Sequence, residues 1–269
     1  MLAPMGGGVT PLVSPAVLDL NAHILPAVHT ATADMAESLD AARALVAAGV
    51  TAAVTPALIG ADPAADLARA DEARSALGAS LEAAGVPLPL LPGAVVPAAL
   101  LGSLDPAVLA RCTVGDGGRW IMVVLPDAGW PLGLPAAMRG LEMAGMGIVI
   151  AHPERSTSIQ QSPDRLRDLL GRGALVQAAG GSFLGADGPR AERAAFGLVR
   201  GGMVTVVASD ATDATGHHLA LDRALDALER VLRRPRAEVE WMLSTGPERI
   251  TAGEVVRAPR LMPLPRSPT

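Results

Sequence analysis

Seven short apolar runs, each followed by a segment of helical character, restrict most strongly how this chain can fold. "AVLDL" (16–20), "VTAAVTP" (50–56), "LPLLPGAVV" (88–96), "RWIMVVLP" (119–126), "GIVIAHP" (147–153), "ALVQAAG" (174–180) and "VTVVASD" (204–210) have strand length and little polar alternation. Strands apolar on both faces belong to a parallel sheet covered by helices on both sides. The intervening stretches read as helices: "DMAESLDAARALVAAG" closed by Gly49, and "DPAADLARADEARSALGASLEAAG" closed by Gly85. "DPAVLARC", "LPAAMRGLEMAG", "SPDRLRDLLGRG" and "GPRAERAAFGLVRGG" follow, with further helices at about 217–233 and 235–243. Ser162 and Pro163 suit the Ncap and N1 positions of the helix they open. With no composition break, seven β-α units predict one domain over residues 16–256, a distorted (β/α)7 barrel. A doubly wound open sheet satisfies the same periodicity. Residues 1–15 are Gly/Pro-rich and 257–269 Pro/Arg-rich, so both ends are expected to be disordered.

Composition narrows the chemistry. Half the chain is apolar but only 2% is aromatic, so the core must be built from Ala, Val, Leu, Ile and Met. All 22 basic residues are Arg, and the net charge of −5 is spread without a basic stripe, which argues against nucleic acid as a partner. The single cysteine, Cys112, excludes an intrachain disulfide framework and suits a reducing compartment. No apolar run has the length of a membrane span, and "MLAPMGGGVTPLVSP" lacks the basic start and apolar centre of a signal peptide. The expectation is a soluble, cytoplasmic protein without membrane insertion.

Chemistry on a parallel barrel sits just past the C-terminal ends of the strands. In "VLDLNAHILP", Asp19, Asn21 and His23 are two residues apart and would share a strand face. A D-x-H-x-H run there would make a metal-binding edge; here the middle residue is Asn. The other strand ends offer His152 in "AHPER" and Asp210 in "ASDA" as metal or acid–base groups. Ala57, Val95 and Thr212 occupy comparable positions with little to offer a hydrolytic metal.

"LNAHILP", "AHPER", "AAGGSFLG" and "ASDA", in this order and spacing, resemble the PHP superfamily, and most of all its bacterial capsule-type manganese-dependent tyrosine-protein phosphatases. The similarity covers roughly residues 16–250. It implies a seven-stranded β/α barrel whose mouth holds a manganese cluster that activates water against phosphotyrosine. Carried over residue by residue, it implies ligand roles for His23, His152 and Asp210 and a phosphate-binding role for Arg155. It also implies lost ligands: the family's H-x-H begins here with Asn21, its T-P-H ends in Ala57, its P-G-A-E ends in Val95, and its S-D-A-H ends in Thr212. An acidic ligand after I-L-P is replaced by His29 or Thr30.

Bridging carboxylates hold a multi-metal site together by neutralising charge and fixing the separation. Val95 cannot bridge, and Asn21 offers only a neutral oxygen in place of imidazole. The expectation is therefore a family member with a degraded site, holding no metal or a single weakly held Mn, Zn or Fe ion. Such a protein would bind or regulate, with a tyrosine kinase or a polysaccharide-export component as partner by family analogy. The alternative is an active phosphatase with a one- or two-metal site on His23, His152 and Asp210, supplemented by His217 or His218. Blander readings stand beside these: His23 and His152 hydrogen-bonded at the mouth, Asp210 capping a turn, Arg155 in a salt bridge, and His29, His217 and His218 on the surface. Cys112 has no Cys-x5-Arg context for thiolate catalysis.

Overall fold

The computed structural model describes residues 16–28, 32, 34–212 and 221–257. The calls on residues 1–15 and on the tail beyond 257, and those on His29, Thr30, His217 and His218, lie outside the described residues. The strands are β1 (Val17–Asp19), β2 (Val50–Val54), β3 (Ala57–Leu58), β4 (Leu90–Leu91), β5 (Ala94–Pro97), β6 (Trp120–Val124), β7 (Gly147–Ala151), β8 (Leu175–Ala179) and β9 (Val206–Ala208). The helices are α1 (Met35–Ala47), α2 (Pro63–Ala83), α3 (Pro106–Arg111), α4 (Leu134–Met143), α5 (Thr157–Gln161), α6 (Asp164–Leu170), α7 (Gly188–Arg200), α8 (Leu221–Leu232), α9 (Arg236–Val239) and α10 (Thr245–Thr251).

All strand pairs are parallel, in two sheets ordered β1-β2-β4 and β3-β5-β6-β7-β8-β9. Two of the seven expected strands are broken. Pro56 separates β2 from β3, and Pro92 with Gly93 separates β4 from β5; proline has no N–H to give a ladder. A side chain on Gly93 would meet Val54 Cγ1 at 2.8 Å, so the second break also needs a residue without Cβ. Counting each broken pair once leaves seven strands in one rotational order. The ends of that order meet at a single parallel bridge, Ala22 with Ala211, where His23 N donates to Ala211 O at 2.7 Å. The result is a mixed α/β single domain of parallel strands with the distortion expected of it.

Strand pleating sorts the apolar residues into two cores. Ile121, Val123, Ile148, Ile150, Val176 and Val207 pack outward with the helices. Their neighbours Met122, Val149, Ala151, Leu175, Val206 and Ala208 point the other way and pack with Leu18, Leu20, Val54 and Val95. Helix ends follow local chemistry: Asp34 and Asp62 cap α1 and α2 by accepting from Glu37 N and Ala65 N. Gly49 and Gly85, with φ of 90° and 66°, lead the chain out again. The helix α6 begins one residue later than its sequence signal, with Pro163 in the cap position and no side-chain cap. The long helix expected at 235–243 is α9 followed by one 3-10 turn.

Candidate active site at the strand ends

Two residues past Leu175 on the same pleat stands Gln177, and two past Ala208 stands Asp210. Both are buried, so the inner apolar core is topped by a polar layer. Asn21 Nδ2 reaches into it, 2.8 Å from Asp210 Oδ1 and 3.5 Å from Gln177 Oε1. His23 Nε2 lies 3.1 Å from the same Asp210 oxygen. Asn21 and His23 thus share a face, as their spacing requires. Asp19 does not join them on Asp210. Its carboxylate accepts from Ser209 N at 2.9 Å, from Asn21 N at 3.2 Å and from Ser209 Oγ.

The other Asp210 oxygen is taken by Arg155. Its Nη1 donates to Oδ2 at 2.5 Å, and its Nε and Nη2 face Asp187 at 3.0 and 3.1 Å. One guanidinium therefore ties two carboxylates together. Ser182 Oγ stands between Asp187 Oδ2 (2.7 Å) and Glu154 Oε1 (2.9 Å), and Glu154 Oε1 also accepts from Ala179 N at 2.8 Å. Arg155 and Glu154 sit on a one-turn 3-10 helix, Pro153–Arg155, opened by His152 in the left-handed conformation at φ 33°. Asp210 is left-handed too, at φ 54°. Two non-glycine residues in that region, one past β7 and one past β9, are a local cost accepted where side chains must be aimed.

Electrostatics follow from burial. Burial alone would raise the Asp210 carboxyl, but the hydrogen bond and charge of His23 and the charges of His152 and Arg155 hold it well below the usual range. Burial pushes Asp19 up against its hydrogen bonds from Ser209, and pushes Glu154 up to about 7. His152 is pushed down, again chiefly by burial. Four buried polar atoms of this layer have no hydrogen-bond partner among the described residues: Asn21 Oδ1, Gln177 Nε2, Glu154 Oε2 and Arg155 Nε, the last meeting Asp187 as an ion pair without hydrogen-bond alignment.

The remaining sequence candidates stand apart. Ala57 is buried in the helix-facing core, paired with Ala94, and Val95 packs in the inner apolar core. Thr212 follows the Ala22–Ala211 bridge, half-buried. Among the described residues, no group of three or more His, Cys, Asp and Glu side chains is arranged to hold a metal ion. Gln177, Ser182 and Asp187 were not singled out from sequence. Gln177 did carry a signal, being the one polar residue inside the run "ALVQAAG". Asp187, between glycines in "LGADGP", carried none.

Comparison with known proteins identifies the family and the fold. A family model described as capsular polysaccharide synthesis, CpsB/CapC, matches residues 17–250. Tyrosine-protein phosphatase YwqE of Bacillus subtilis (strain 168) is 28% identical over 246 residues, 89% of this chain and 93% of that protein. A putative tyrosine-protein phosphatase CapC of Staphylococcus aureus is 28% identical over 128 residues, 48% of this chain and 49% of that protein. A solved structure from work on YwqE and on CpsB from Streptococcus pneumoniae, described as unique metal-dependent tyrosine phosphatases, superposes with a TM-score of 0.80. It is 26% identical and covers 93% of this chain and 100% of its own. An N-isopropylammelide isopropylaminohydrolase from Burkholderia multivorans, with a TM-score of 0.53 at 16% identity over 87% of this chain and 74% of its own, shares the fold alone. With a family model matching residues 17–250 and a fold that superposes on a solved structure of such a phosphatase, the chain belongs to the CpsB/CapC family of capsular polysaccharide synthesis proteins.

Proposed function

We propose that this chain is a CpsB/CapC protein whose hydrolytic metal site has been replaced by a network of its own side chains, and that it acts in the cytoplasm as a binding or regulatory protein. A tyrosine kinase or a polysaccharide-export component is its proposed partner. One observation carries the reading: Asp210 is fully engaged by protein. Asn21 and His23 occupy Oδ1, and Arg155 occupies Oδ2. A guanidinium is a permanent cation with fixed donors, and it bridges two carboxylates here where a metal ion could otherwise sit. The described residues do not fit a metal cluster. Val95 supplies an apolar side chain where the family pattern has a bridging carboxylate, and Ala57 and Asn21 withdraw two imidazoles. On this reading Asn21, Ala57, Val95 and Thr212 are lost ligand positions.

A second reading draws on a specific contact. His23 touches Asp210 directly, and His152 is coupled in charge to both. These three would be the residues of a reduced one- or two-metal phosphatase, with Arg155 turned toward the phosphate. That role requires Arg155 to leave Asp210 and Asp187. Hydrolysis of a phosphotyrosine peptide in Mn²⁺, run beside Bacillus subtilis YwqE, separates the two. The first reading expects phosphate release at the buffer rate. Mn²⁺-dependent turnover abolished by His152→Ala would overturn it.

A further inference from the structure

A groove of about 710 Å³ lies between α7 on one side and α5 with the start of α6 on the other. Its basic lining comes from Arg167, Arg190 and Arg193, and the core residues Ile159, Leu198 and Met203 lie beneath it, buried. Arg190 and Arg193 are exposed, one helical turn apart on α7, and they make no salt bridge among the described residues. Arg167 is paired only with Asp164, the sole carboxylate of the lining, whose side chain is 93% exposed. A surface pair of that kind is worth little and gives way readily. In a chain of net charge −5, three arginines around one groove form a local reversal of sign.

We infer that this groove is a docking site for an acidic peptide segment of a partner protein, with carboxylates set against Arg167, Arg190 and Arg193. The tail from 258 to 269 is unsuited to it, since it carries Arg260 and Arg266 and no acidic residue. The groove also adjoins the strand-end network. Gln160, on its α5 wall, donates to Glu154 O at 2.8 Å, and α7 starts one residue after Asp187, which holds Arg155. A peptide seated there presses on both supports of the Arg155 turn. The inference rests on the binding reading above and names the face and the chemistry of the partner.

The test uses the full chain and a fluorescein-labelled peptide of sequence EDLLED, followed by anisotropy at low and moderate salt. Binding is expected to weaken about tenfold in Arg190→Glu/Arg193→Glu and to change little in Arg200→Glu, a control on the same helix. The uncharged peptide QNLLQN should bind at least several-fold more weakly, because recognition is by charge. Absence of binding, or equal losses in the control variant, would overturn the proposal. So would a dimer by light scattering that dissociates in the double variant, which would assign the groove to a second copy. Failure here leaves the metal-free reading standing, because that reading is decided by metal content and turnover and not by peptide binding.

Discussion

Asp210 is the centre of the polar layer, because three side chains from two distant parts of the chain converge on it. Its ionised form is favoured by those donors, so its contribution to stability is present at neutral pH and lost as pH falls through its depressed folded value. Glu154 acts in the opposite sense. Its folded pKa is about 7 against an ordinary value of 4.5, so the native state holds its proton more tightly. Stability should therefore fall as pH rises from about 4.5 to 7, by about 3 kcal/mol for this group alone. Denaturant midpoints measured across that window should show the fall in the native protein and a flatter profile in Glu154→Gln. An unchanged slope in the variant would assign the pH dependence elsewhere. Val95→Glu should cost about 3 kcal/mol or more, since it puts a carboxylate in the inner apolar core without a partner. Added Mn²⁺ should not restore that loss in a thermal melt; full restoration would mean that ligands enough for an ion remain. The pairing of Asn21 and His23 on one face was legible from their spacing. Gln177, Ser182 and Asp187 were not, because their convergence depends on the registers of β7, β8 and β9, which no local pattern encodes.

At the level of elements, the positions of all seven strands could be read from apolar runs bounded by turn residues, and most helices from their closing glycines. What could not be read was the splitting of two strands by Pro56 and Pro92, which divides the sheet into two and moves Ala57 and Val95 onto short separate strands. Proline in a run is an ambiguous signal: it can end a strand or merely occupy an unpaired position. The opposite end of the molecule from the polar layer depends on close backbone approach. Gly117 N donates to Thr251 O at 3.0 Å, and a Cβ on Gly117 would lie 2.0 Å from Gly253 N. Gly117→Ala must push the end of α10 away from the β6 entrance, where Trp120 Nε1 also donates to Glu254 O at 2.8 Å. A loss of about 2 kcal/mol or more is expected in denaturant unfolding, with Trp fluorescence altered in the native baseline. A neutral result would mean that this junction is not packed as described.

For the whole molecule, composition excluded more than it assigned. A local basic groove appears only once α5, α6 and α7 are brought together, and no stripe along the sequence announces it. No helix among the described residues is long and apolar enough to cross a membrane. Family membership was legible from four short motifs, because they mark strand ends that the parallel strand order brings to one face. The state of the site was legible only as a set of substitutions. Their meaning depends on where Arg155 goes, and a sequence shows no ion pair across 55 residues. The most direct measurement is elemental analysis of the purified protein after loading with Mn²⁺ or Zn²⁺ and desalting. The account predicts near-zero metal per chain, with Asp210 held by Asn21, His23 and Arg155. One or more tightly retained ions per chain would contradict it and return the site to the hydrolases.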